Sequence, residues 1–170
     1  SDAKDYLVNG EIDTANDIFA KISEQGGAYG AIADFKRAGI LLQEDKLSEA
    51  VTLFRSLSED VGLQLAYRDL ATMLWGIHGL DTENITSLES SLAVLTDPSN
   101  GYSYMASELM ALLAARRGAL GEARSILNEL ISDTGTPTSI RRRSQELLTV
   151  FGEAKFGGLS DPSSSELLEP

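Results

Sequence analysis

Few residues in this chain are of the kinds that do chemistry, and their spacing limits what they could do. The single histidine, His78, stands in "WGIHGLD". As a metal ligand or general base it would need a second His, a Cys, or a carboxylate at H-E-x-x-H spacing, and the sequence supplies none. A loop histidine beside an insertion is the simpler reading. The serines include no G-x-S-x-G elbow, and one histidine has to serve for any triad. There is no cysteine, which excludes disulfides, thiolate metal sites and a cysteine nucleophile. "GGAYG" at 26–30 is too short for a phosphate loop, lacks the Gly-Lys-Ser/Thr ending, and reads as a turn. The acid pairs Glu44–Asp45 and Glu59–Asp60 fall at expected helix ends, whereas a glycosidase pair needs an enclosed cleft. Arg141, Arg142 and Arg143 form the one basic cluster. Adjacent helical residues fan out by about 100° each, so the three make a solvated face that meets the acidic body rather than one anion site. "NIT" at 84–86 matches a glycosylation sequon, a match that is common by chance. These residues point to no catalysis, no cofactor and no metal.

The chain that would have to position them has 170 residues, enough for one domain with a sizeable core. With 42% hydrophobic and 24% charged residues it has the balance of a globular protein. Four prolines, few aromatics and many Ala, Leu and Glu favour helix over sheet. A net charge of −12 makes nucleic acid or a polybasic-type membrane contact an unfavourable partner. Most of that charge lies in residues 1–100, where seventeen acids face seven bases. No run approaches the roughly 20 apolar residues of a membrane span. The opening "SDAKDYL" lacks the apolar stretch of a signal peptide, and is expected to belong to a mature or trimmed fragment.

A ten-residue pattern recurs along the chain. "GEIDTANDIF" at 10–19, "DKLSEAVTLF" at 45–54 and "GALGEARSIL" at 118–127 each place an aliphatic third, Ala sixth and a large apolar tenth. A degraded copy, "ENITSLESSL" at 83–92, fills the gap, with Leu88 in the Ala position. The steps are then 35, 38 and 35 residues, the longer one absorbed in the loop "GIHGLDTEN" at 76–84. That period is the period of a tetratricopeptide-type helical hairpin. One hairpin cannot bury its own apolar stripe, so hairpins stack, and only a small side chain fits where two helices cross closely. Ala15, Ala50 and Ala123 mark those crossings, and Phe19, Phe54 and Leu127 lie one turn further along the same face. Gly10, Asp45 and Gly118 supply the preceding turns. Twelve residues before each alanine stands another, Ala3, Ala38 and Ala111, with Ala71 displaced by the insertion. The pattern predicts helices near 2–9, 12–25, 28–43, 47–60, 63–77, 84–95, 102–117 and 120–133. A capping helix follows in "TPTSIRRRSQELLTVFG", with Thr136 or Thr138 as cap, Pro137 in its first turn and Gly152 at its end. The fold class is all-α: a right-handed superhelix of about four hairpins plus a cap over 1–156. Residues 157–170, rich in Gly, Ser and Pro, read as a disordered tail.

"AYRDLATMLW" at 66–75, following "DKLSEAVTLFRSLSED", resembles a bacterial family of membrane-anchored tetratricopeptide-like proteins. That family is related to the ancillary subunit of the SecYEG translocon. "ELMALLAARRGALGEARSILNELISDTGTPTSIRRRSQELLTVFG" continues the likeness, and Tyr67, Arg68, Asp69 and Leu70 carry the more specific part of it. The resemblance implies an inner-membrane anchor upstream of Ser1 and a domain on the periplasmic side. It also implies protein partners: a translocon subunit, a chaperone, or an exported chain.

Solenoids of this kind line their inner face with the first helix of each hairpin. In this register the exposed-side positions are Ile32, Phe35 and Leu42, then Leu65, Arg68 and Trp75, then Met105 and Leu112. This set is apolar apart from one Arg and suits an extended or helical peptide. Alternatively the C-terminal helix, through Leu147, Leu148 and Phe151, fills that face as ordinary core. The carboxylate-clamp variety of such domains needs a set of Lys and Asn side chains, and Lys36 alone does not provide it. The function expected is non-catalytic protein binding. The alternative is a scaffold that self-associates through the apolar face and takes no client peptide.

Overall fold

The computed structural model describes residues 12–153, and the helix expected over 2–9, with Ala3 and Gly10, and the tail 157–170 lie outside them. Among the described residues the chain is all helical. Eight α-helices follow one another: α1 (Ile12–Ser23), α2 (Gly27–Gln43), α3 (Leu47–Glu59), α4 (Leu65–Gly79), α5 (Ile85–Ala93), α6 (Ser103–Arg116), α7 (Leu120–Ser132) and α8 (Thr138–Glu153). A single 3₁₀ turn, Val94–Thr96, extends α5.

Each helix packs on its sequence neighbour, and α4 with α6 and α6 with α8 also touch across the stack. The small residues sit where the repeat requires them. Ala15, Ala50 and Ala123 are fully buried, as are Ala38, Ala71 and Ala111. Phe19, Phe54, Leu88, Leu92 and Leu127 are buried beside them. The fully buried Ser144 stands 33 residues after Ala111, the same step that separates Ala38 from Ala71. It gives α8 the register of a hairpin's first helix, and its outward residues are polar apart from Val150, which is 59% exposed. A polar outer face is what a terminal repeat needs.

The turns repeat as well. Asp45 and Gly118, equivalent positions five residues before Ala50 and Ala123, both have positive φ, 58° and 85°. Glycine reaches that region at no steric cost, and Asp reaches it more readily than most residues. Gly118→Ala is therefore expected to lower stability by about 1 kcal/mol. Gly121→Ala, in the first turn of α7 with open space around its Cβ position, should instead raise it by up to about 0.5 kcal/mol. Opposite shifts in urea midpoint would check both.

The degraded third hairpin, α4 with α5, is the weakest seam. Its second helix has nine residues, starting where Asn84 accepts a hydrogen bond from the Ser87 N–H at 3.0 Å. It packs less extensively on α4 than the second helices of the neighbouring hairpins pack on their own partners. The helix ends from α1 to α7 lie within two residues of the periodic reading, and two differences at helix ends bear on named residues. Helix α4 runs two residues further, to Gly79, so His78 lies in its last turn and not in a loop. Helix α8 starts without a side-chain cap from Thr136, whose buried hydroxyl is unpartnered while its carbonyl accepts from Arg141.

Candidate functional site

The reactive groups resolve into structural roles. His78 is stacked on Phe54, with ring centroids 5.6 Å apart and planes at 19°. Burial there disfavours the imidazolium and pushes the His78 pKa below its usual value. The unfolded chain then takes up a proton at a higher pH than the folded chain. The His78 contribution is thus complete above about pH 6.5 and declines as pH falls through the window below it. Melting measured between pH 7.5 and 5.5 should fall more steeply for the native chain than for His78→Gln. Tyr104 bonds to the Asp133 carboxylate, which pushes its pKa up and keeps the phenol protonated. Among the described residues no group of three His, Cys, Asp or Glu is placed to hold a metal.

The three clustered arginines separate as their fan of directions requires. Arg141 donates to the carbonyls of Asp133, Thr134 and Thr136 and so closes the α7–α8 link. Arg142 lies 3.8 Å from Glu146 on the outer face. Arg143 makes a two-point bond to Glu108 of α6, Nε to Oε1 at 2.8 Å and Nη2 to Oε2 at 2.5 Å.

The eight residues expected on the binding face divide into three groups. Ile32, Leu65 and Met105 are exposed, at 45%, 64% and 36%. Each stands six residues before the buried alanine of its own helix, Ala38, Ala71 and Ala111. Phe35, Leu42 and Leu112 are half-buried and pack against the main core. Trp75 is only 2% exposed and belongs to that core, contrary to its expected exposed position. The reason is the close approach of α5 and α6 to α4 at the next residue. A Cβ placed on Gly76 would lie 3.0 Å from Leu109 and 3.1 Å from Leu92, so the helices meet where a side chain would have held them apart. Arg68 is half-buried, and its Nε–H donates to the Ser58 carbonyl at 3.3 Å.

The C-terminal helix occupies the end of the stack. Leu147, Leu148 and Phe151 pack with Ala111, Leu127 and Leu130 of the last full hairpin. The expectation that they fill the whole inner face therefore holds only at that end.

Two of the eight residues meet in a groove. A cleft of about 330 Å³ lies between the C-terminal ends of α3 and α5, floored by Leu65, Arg68 and Thr72 of α4. It continues past Leu65, Asp69 and Val94 into a second cleft of about 490 Å³ along the 97–102 loop. Val94, 71% exposed, faces this groove opposite Leu65. Periodicity did not single it out, because it lies in the 3₁₀ turn just past the tenth position of the degraded repeat.

No family model, curated protein or solved structure matches this chain. The groove and the exposed apolar row Ile32, Leu65 and Met105 are the features of the structure that bear on function. No helix among the described residues is long and apolar enough to cross a membrane.

Proposed function

We propose that this chain is a non-catalytic protein-binding domain that docks a partner polypeptide along the first helices of its hairpins. The observation that carries the reading is the row Ile32, Leu65 and Met105: one large apolar side chain, at the same register position in three successive hairpins, each left in solvent. Folding alone gives no reason to repeat an exposed apolar residue in register, whereas an extended ligand crossing the hairpins would meet one such side chain per repeat. Leu65, the middle member of the row, also lines the groove that Val94 borders.

The tetratricopeptide-like resemblance supports a more specific version. In it the domain adopts the superhelical arrangement of that family, faces the periplasm from an inner-membrane anchor, and meets the Sec translocon, a chaperone or exported chains. Membrane fractionation and protease accessibility of the chain in cells would test the location.

A photo-reactive residue placed at 32, 65 or 105 tests the docking itself, with positions 49 and 125, exposed on second helices, as controls. Docking predicts a common cross-linked polypeptide at the three row positions and none at the controls. A product of twice the chain's own mass would assign the row to self-association instead, and equal labelling at the controls would remove the reading.

A further inference from the structure

The groove over the third hairpin has a sign of charge as well as an apolar floor. Glu59 and Asp97 stand exposed at its two ends, and Asp69 lies between them, accepting a 2.9 Å hydrogen bond from the Asn100 side chain. Arg68 is the one basic residue in its lining, and its Nε–H is already directed at the Ser58 carbonyl. The ends of α3 at Glu59 and of α5 at Ala93 both come to the groove, and helix C-termini carry partial negative charge. The N-terminus of α4, at Leu65, and that of α6, at its cap Tyr102, oppose them. The helix ends thus offset one another, and three carboxylates are left against one arginine. The whole chain, at −12, adds to the same field.

Resting on the docking reading above, we propose that this groove receives a partner segment in which an aliphatic side chain is flanked by Lys or Arg. The aliphatic group would lie between Leu65 and Val94, whose 64% and 71% exposure leaves apolar surface to be covered. The flanking cations would reach Asp69 and, at either end, Glu59 or Asp97. Such a segment gains from both parts at once, since apolar burial supplies affinity while charge complementarity sets specificity and encounter rate. An acidic segment of the same apolar content would face like charge at every point of the rim and be rejected.

The test uses fluorescent peptides of alternating Leu and Lys, alternating Leu and Glu, and alternating Ser and Lys, with anisotropy read at physiological ionic strength. The Leu/Lys peptide is expected to bind most tightly. The pair Leu65→Ser and Val94→Ser should weaken it about tenfold or more, and so should Glu59→Gln with Asp69→Asn. Glu24→Gln with Glu49→Gln removes the same charge away from the groove and should leave binding within about twofold. All these side chains are exposed except Asp69, where the amide keeps an acceptor for Asn100, and unchanged melting temperatures would confirm that the variants fold. Preference for the Leu/Glu peptide, or equal weakening by the distant pair, would overturn the proposal. A cross-linked partner at position 65 alongside such a result would leave docking standing and remove only the charge assignment. Absence of any cross-linked partner along the row would remove both.

Discussion

Trp75→Ala lowers the unfolding free energy by about 3–5 kcal/mol, the cost of emptying a large buried aromatic site. Trp75 is 2% exposed and shares one cluster with Phe54, Leu88, Leu92 and Leu109, so α3, α4, α5 and α6 all border the space it would leave. Its indole N–H has no hydrogen-bond partner within the protein, so Trp75→Phe removes volume without breaking a bond. The Phe variant should then cost well under half as much as the Ala variant. Leu65→Ser, at a residue 64% exposed, should change stability by no more than about 0.5 kcal/mol. Urea unfolding of the three variants separates the part of the expected binding face that is core from the part that is surface.

Arg143→Met is the second large effect, with an expected loss of about 1–3 kcal/mol. The Glu108 side chain is only 8% exposed, while Arg143 is 45% exposed and makes both of its bonds to that carboxylate from α8. Removing the arginine leaves a buried anion without its counter-charge, a change that costs 3–5 kcal/mol when both partners are fully buried. The half-exposed arginine is partly solvated already, which reduces the figure. The double variant Glu108→Leu with Arg143→Met removes the stranded charge and should recover much of the loss. A double-mutant cycle by denaturant titration would show that coupling. Because the pair joins α6 to the capping helix, exchange protection of α8 amides should fall in Arg143→Met before that of α3 or α4.

Much of the architecture could be read from spacing alone, because in a stacked-hairpin chain one small residue per crossing is a local and repeated requirement. The pattern places Ala15, Ala50 and Ala123 at the crossings, where they are buried, and the paired set Ala38, Ala71 and Ala111 follows them. What periodicity misses is what depends on how two hairpins meet. Trp75 has a surface register position, yet Gly76 lets α5 and α6 close over it, and that requires knowing which helices are neighbours in space. Spacing alone puts His78 in a loop, because it shows that an insertion is present but not where it begins, and α4 continues to Gly79.

The candidate groove was half legible. Leu65 and Arg68 carry the repeat register and could be named. Val94 and Asp97 sit in the 3₁₀ turn and loop that follow a degraded helix, where no period applies. Ser144 was available in principle, since it lies at the same step from Ala111 as Ala71 does from Ala38, but a hydroxyl does not stand out in an alanine pattern.

The claim on which all of this depends is that adjoining helices approach so closely at the repeated alanines that nothing larger than a methyl group fits. Equilibrium unfolding of Ala50→Leu addresses it directly. Ala50 has no exposed surface and lies in the cluster that holds Phe54 and Trp75, so the added carbons must displace packed neighbours. The expected result is a loss of about 1–3 kcal/mol with the helical signal retained at low urea. An unchanged or raised midpoint would mean that the crossing has room to spare, and would contradict the stacked-hairpin account.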